Sequence, residues 1–298
     1  MASYYLITFT LLLLISLNRS PIINASSDHN AEGLLYDLTY SLNNITLDWS
    51  GKQFQLNITQ ENVQEDNISY WYQIDELASP THLGTHLDAP CHFAKDKWCT
   101  SEIPVNRLFA RPGYVIDITD KCANDRDYEL NENDLLAWLE EHGKDLQRGA
   151  VILVRTGWSK YWPNRADYFG AVDMNESYHF PGVSPSAAKL MVSHENIDLY
   201  GLGIESPSVD RGMTKDYQTH VILGSHNVYN LENIGPLIAN LPPKGFLVTA
   251  LPLRIDGSSG SPVRVVVHFK TSSADYLYVR MIFTFLSIIP ILYYSIIS

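Results

Sequence analysis

Residues 80–93 read PTHLGTHLDAPCHF, and no other stretch of the 298-residue chain restricts its fold as much. The stretch places His82, His86, Asp88 and His92 at offsets of 0, 4, 6 and 10. Helical spacing would align His82 with His86 but turn Asp88 away from that face. Gly84 and the Ala89-Pro90 pair also oppose a continuous helix. All the offsets are even, so an extended segment sends the four side chains to one side. A loop of unrelated polar residues would account for one histidine. It accounts poorly for three histidines and an aspartate within eleven residues.

Imidazole nitrogen and carboxylate oxygen are ligands for Zn, Mn and similar divalent ions. Two histidines and one aspartate leave at least one coordination position open, as catalysis requires. A bound divalent cation can lower the pKa of its water from about 15.7 to about 7 and polarise a carbonyl. His92 then has a role as the proton shuttle, because an unperturbed imidazole titrates near about 6.5.

The rest of the body alternates strand and helix signals. Residues 113–118 (GYVIDI), 150–154 (AVILV), 197–204, 246–251 and 263–269 are expected strands. Asn133 is a candidate cap for a helix that uses Leu135, Leu136, Trp138 and Leu139 and stops near Gly143. Ser184-Pro185 opens a second helix to about residue 195. The pattern is that of an α/β body without internal repeats. Hydrophobic residues at 45% and charged residues at 18% supply a packed core. The formal net charge of −12 excludes the basic surface that nucleic-acid binding needs.

The two ends differ from the body. Residues 6–17 (LITFTLLLLISL) form an apolar run, so residues 1–25 are expected to be a secretory signal, with a signal anchor as the alternative. Asn-x-Ser/Thr acceptors stand at Asn24, Asn44, Asn57, Asn67 and Asn175. The hydrophobic tail within residues 275–298 follows Ser272-Ser273-Ala274, the layout of a lipid-anchor (GPI) signal, with a tail anchor as the alternative. The expected location is therefore secreted or at the extracellular surface, with membrane attachment through the tail. Of Cys91, Cys99 and Cys122, the expected disulfide is Cys99–Cys122, because Cys91 lies inside the histidine motif.

HLGTHLDAPCHF resembles the signature of the cyclase family of bacterial-type kynurenine formamidases, which includes isatin hydrolases. The similarity continues through ILVRTGW at 152–158, YHFPGVSP at 178–185, GLGIESPSVD at 201–210 and ALPLRIDGSSGSPVRVV at 250–266. It covers about residues 32–270, the expected hydrolase domain. The resemblance implies a mixed barrel-like sheet with flanking helices (a swivelling β/β/α type), usually in homo-oligomers. It also implies two more metal ligands: His220, and Glu232 twelve residues later. One or two ions, Zn or Mn, are then expected. With two, Asp88 would bridge an ion held by His82 and His86 and another held by His220 and Glu232. Ser208 and Asp210 match a family Ser-x-Asp element near the site, although they also fit an Asx-type turn before Gly212.

The implied reaction is metal-dependent hydrolysis of a small amide, N-formyl-L-kynurenine to L-kynurenine and formate in tryptophan catabolism. The alternatives are an isatin hydrolase-like cyclic amidase and a non-catalytic surface binding protein on the same fold. A serine hydrolase is disfavoured, because no G-x-S-x-G elbow surrounds Ser206 or Ser258. Trp158, Tyr161 and Trp162 could wall a pocket for a flat substrate or fill the core. His179 and Phe180 could line the pocket or anchor a loop.

Overall fold

The computed structural model describes residues 35–65, 68–171 and 176–269. The chain divides into Met1–Leu35 and Tyr36–Ser298, and only Leu35 of the first unit is described. The expected export signal, the hydrophobic tail and the acceptors Asn24, Asn67 and Asn175 lie outside the described residues. Asn44 and Asn57 are described, and both are exposed. Among the described residues no helix is long and apolar enough to cross a membrane.

In chain order the strands are β1 (Leu35–Asp37), β2 (Gln55–Glu65), β3 (Ile68–Ala78), β4 (His86–Asp88), β5 (Arg111–Asp117), β6 (Glu129–Leu130), β7 (Ala150–Arg155), β8 (Gly182–Val183), β9 (Leu199–Ile204), β10 (Tyr229–Glu232), β11 (Lys244–Pro252) and β12 (Gly260–Phe269). The helices are α1 (Thr119–Asn124), α2 (Glu132–His142), α3 (Arg165–Phe169), α4 (Pro185–Ser193) and α5 (Gln218–Ser225). The order β12-β11-β5-β7-β9-β10-β4 closes on itself, because β4 pairs with both β10 and β12. β5, β7, β9 and β10 run parallel, whereas β11, β12 and β4 join by antiparallel pairs. This is the mixed α/β barrel-like sheet that the resemblance implied.

β7 shows why these residues form the middle of the sheet. Its first five residues are all buried, as expected for a parallel strand covered on both faces. Val151 and Leu153 join Leu87, Leu231, Val248 and Val265 on the inner face of the closed sheet. Ile152 and Val154 point outward and pack under α2, α4 and α5 through Leu135, Trp138, Met191 and Leu223.

The helix boundaries are set by local chemistry. Ser184 caps α4 by accepting from the Ala187 amide, with Pro185 at the first position, as expected. The cap of α2 is Asn131 rather than Asn133: Asn131 accepts from the amides of Asn133 and Asp134, and Asp134 answers the Asn131 amide. Those bonds satisfy three free amides, which Asn133 inside the helix cannot do. The 11-residue strands of the β2–β3 hairpin had no counterpart among the expected elements. They carry Ile58, Tyr70, Trp71, Ile74 and Leu77, all largely exposed.

Candidate metal centre

β4 is only three residues long, and its two-residue period decides the site. Leu87 turns inward at 0% exposure, so His86 and Asp88 must both face outward. Antiparallel register sets Glu232 of β10 directly opposite His86, on the same outer face. α5 packs over that face and brings His220 down onto it.

The motif is not one extended strand, which corrects the expectation from even spacing. Gly84 has φ +58, and a Cβ there would come within 2.8 Å of Thr46 Cγ2. The chain therefore bends between His82 and His86, and after Asp88 the Pro90–His92 segment winds into a single 3-10 turn. The four polar side chains still converge, through a bend, a strand and a turn rather than through periodicity alone. Gly260 of β12 contributes by what it lacks: a Cβ there would meet the His82 ring at 2.5 Å.

The distances define one cluster. His82 Nδ1 lies 2.5 Å from Asp88 Oδ1, and His86 Nε2 lies 3.2 Å from Asp88 Oδ1 and 3.4 Å from Glu232 Oε2. His220 Nε2 is 3.1 Å from Asp88 Oδ2 and 3.2 Å from Glu232 Oε1. All five expected ligands are thus together, with Asp88 in the middle. His92 also belongs: ligand atoms of His82, Asp88 and His92 fall within 4.8 Å of one another, as do those of His86, Asp88 and Glu232.

Each inner imidazole is oriented from behind. His86 Nδ1 meets the Gly84 carbonyl at 2.9 Å, and Asn233 Nδ2 donates to that carbonyl at 2.7 Å. His220 Nδ1 lies 2.6 Å from Asp210 Oδ2, while the Asp210 carboxylate also accepts from the Thr219 and His220 amides. The Val209 amide donates to Glu232 Oε1 at 2.9 Å. Such partners fix tautomer and ring angle in metal sites.

The donor set fits a divalent cation. His86 Nε2 is fully buried and aligned for a hydrogen bond with no partner, although two carboxylates lie within attraction distance. An orphaned buried nitrogen is costly unless something else meets its lone pair. Burial opposes charge on His86, yet Asp88 and then Glu232 outweigh it and raise its pKa to about 10. His220 is also raised: burial opposes it, but Asp210, Asp88 and Glu232 prevail. Asp88 falls well below the usual carboxylate range because His86, His220 and His82 overcome its burial. Glu232 is lowered as well, with His220 and His86 outweighing burial and the nearby Asp88. A cation at the same atoms displaces these protons, since metal ligands are neutral imidazoles and ionised carboxylates. His92 behaves oppositely: burial, aided by His82 and His220 and opposed by Asp88, pushes it down to about 4.

A cavity of about 260 Å³ opens on the cluster, and Trp49, Phe93, Ser208 and Tyr217 complete its lining. The aromatic wall is therefore not the one expected. Trp158 is 1% exposed and packs in an aromatic core with Tyr168, Phe169 and Phe180; Tyr161 and Trp162 pack against that core. His179 anchors a loop through Asp127, at 2.8 Å. Trp49, Phe93 and Tyr217 escaped notice because nothing local marks a pocket aromatic; only Phe93 sits inside the motif. Ser208 faces the cavity and accepts from the Asp210 amide, while the Gly212 amide bonds to the Phe180 carbonyl rather than to Asp210, so the element lies at the site and the Asx-type turn before Gly212 does not form.

The disulfide expectation is also corrected. Cys91 pairs with Cys99, Cα atoms 5.1 Å apart, and Cys122 is the free, buried thiol. Cys122 is the buried residue of α1 and packs into the core, away from the loop that carries the other two.

A family model described as "Putative cyclase" matches residues 36–211. An isatin hydrolase of Roseibium aggregatum is 32% identical over 193 residues, covering 62% of this chain and 70% of that protein. A kynurenine formamidase of Salinibacter ruber is 26% identical over 237 residues, covering 78% of this chain and 96% of the relative. The solved isatin hydrolase A of Ralstonia solanacearum superposes with a TM-score of 0.64 at 27% identity, covering 79% of this chain and 92% of that one.

Proposed function

The chain belongs to the cyclase family, and from that premise we propose that it is a metal-dependent hydrolase of a small aryl-formamide or cyclic amide. N-formyl-L-kynurenine, giving L-kynurenine and formate, is the first substrate to test. The observation that carries the proposal is the meeting of five donor residues around the orphaned His86 Nε2 at the floor of a cavity.

His82, His86, Asp88, His220 and Glu232 would hold one or two ions of Zn or Mn, supplying Lewis acidity toward a carbonyl and a water that ionises near neutral pH. The chain's own groups do the rest. Asp210 and the Gly84 carbonyl hold His220 and His86 with Nε2 facing the centre. Trp49, Phe93 and Tyr217 offer flat apolar faces to an aromatic substrate and exclude water. His92 stands at the cavity with neither ring nitrogen hydrogen-bonded among the described residues, placed to accept a proton from the attacking water and pass it to the leaving nitrogen.

A cyclic amide such as isatin is the second substrate, supported by the 32% identity to an isatin hydrolase. A non-catalytic role would leave the His92 position without purpose. The test is hydrolysis of both compounds by purified protein before and after chelation. Turnover should vanish with the metal and return with added Zn or Mn; undiminished turnover in metal-free protein would refute the proposal.

We extend the same reading to setting and assembly. A disulfide suits an oxidising compartment, and the exposed Asn44 and Asn57 suit glycosylation; a glycosidase shift on the expressed protein tests both export and occupancy. An isolated two-stranded hairpin is marginal in water, so the apolar β2–β3 arm supports self-association. Light scattering should give a multiple of the protomer mass measured on the same protein under denaturing conditions, and a monomer at all concentrations would contradict it.

A further inference from the structure

We propose that the Cys91–Cys99 disulfide is a positioning device for the reaction, holding His92 and Phe93 at the mouth of the metal cavity. The inference rests on the hydrolase reading above and concerns only how one edge of that site is kept in place.

Cys91 is the middle residue of the Pro90–His92 turn, so the two side chains that follow it are both pocket residues. The His92 ring stacks on His82, centroids 4.1 Å apart, and the Phe93 ring lies 4.5 Å from His220 and 5.2 Å from Tyr217. His86 and His220 are each fixed from behind by a hydrogen bond. Neither ring nitrogen of His92 has such a partner among the described residues. Stacking restrains a ring's plane but not its sliding, so the place of His92 depends on its backbone.

That backbone is anchored at a distance. The Cys99 amide donates to Glu102 Oε2 at 2.8 Å, the Thr100 amide to the Ser258 carbonyl at 3.0 Å, and Thr100 Oγ1 to the Ile255 carbonyl at 2.7 Å. Trp98 carries the Arg107 guanidinium over its ring at 5.0 Å. The Cys99 end is thus bolted to the body. Among the described residues, the Cys91 amide to the Trp98 carbonyl, at 3.0 Å, and the cross-link carry that anchorage back to the turn, which on its other side is held by the His92 amide to the Ala89 carbonyl, at 2.9 Å. The ligands His86, Asp88 and Glu232 sit on β4 and β10, which pair with each other, and His220 on α5 is oriented by Asp210.

The test uses the folded, full-length protein and a trialkyl phosphine. The phosphine is oxidised to its oxide with oxygen from water, and the two sulfurs take two electrons and two protons to become thiols. Under denaturing conditions the count should rise from one thiol (Cys122) to all three cysteines. A displacement of about 1 Å can cost about a hundredfold in rate, so kcat should fall by about ten- to a hundredfold. Metal content should hold, and KM should rise as the Phe93 face shifts. Reoxidation by oxidised glutathione, itself reduced to two thiols, should restore kcat.

Cys91→Ser and Cys99→Ser should show the lowered kcat untreated and ignore the phosphine, whereas Cys122→Ser should respond as the native protein does. A second readout needs no activity: carbethoxylation of His92 should quicken on reduction while that of the buried His86 and His220 does not. Unchanged kcat and unchanged His92 labelling with all three thiols counted would overturn the proposal, as would a loss that simply tracks metal release. Inactive but metal-replete native protein would instead sink the hydrolase reading, with the labelling still deciding the role of the cross-link.

Discussion

At the scale of single residues, the groups that would hold the ion are distinct from the groups that orient them. His92→Ala removes a proton carrier that touches no structural partner by hydrogen bond. Metal content should be unchanged while kcat falls by about 10²–10⁴, the usual worth of general acid–base catalysis. Asp210→Asn keeps the shape but weakens the hold on His220 Nδ1, 2.6 Å away. Metal affinity, read by competition with a chromogenic chelator, should drop by about 10- to 100-fold. An unaltered affinity would mean that Asp210 is only a cap for α5. Much of this was readable in the sequence. The His82–His92 cluster announced itself because ligand chemistry is rare at such density, and His220 and Glu232 came by resemblance. The supporting shell was less visible, since a capping Asp and an orienting Asp look identical in one dimension. Glu205 is an instance: it takes the Thr156 and Gly157 amides at 2.6 Å each, joining two segments that seemed separate similarities.

At the scale of elements, β4 matters most and is the shortest strand in the closed sheet that pairs on both sides. It has one inward side chain, Leu87, at 0% exposure, to set the direction of two ligands. Leu87→Ala should destabilise the protein by about 2–5 kcal/mol, as cavity-forming core substitutions do, measured by denaturant unfolding. It should also lower metal affinity, because a loosened β4 carries both His86 and Asp88. Stability loss without any change in metal binding would show that β10 and α5 hold the centre alone. Sequence pattern found β5, β7 and β9, whose apolar runs are written by burial on both faces, and β11 and β12, which bury alternate residues. It missed the β2–β3 arm, where polar and apolar residues mix without a single buried face. It also missed α5, which is too short and too evenly apolar to show a helical period. The bend at Gly84 shows a different limit: even spacing implied convergence correctly but for an incomplete reason.

At the scale of the whole molecule, closure of the sheet ties the ends of the body to the site. β12, late in the chain, flanks β4, so Gly260 and Ser259 frame His82 from more than 170 residues away, with Ser259 Oγ 3.0 Å from His82 Nε2. Burial of four acidic and imidazole ligands beneath α5 is tolerable only if their charges are met. The arrangement therefore predicts that folding and metal occupancy are linked. The most direct measurement is elemental analysis of the purified native protein beside His86→Ala and Glu232→Ala. The native chain should carry one or two equivalents of Zn or Mn, and both variants should lose most of the metal and all turnover. A native protein that hydrolyses its amide without bound metal, or variants that keep their full complement, would contradict the claim that these residues hold a catalytic ion.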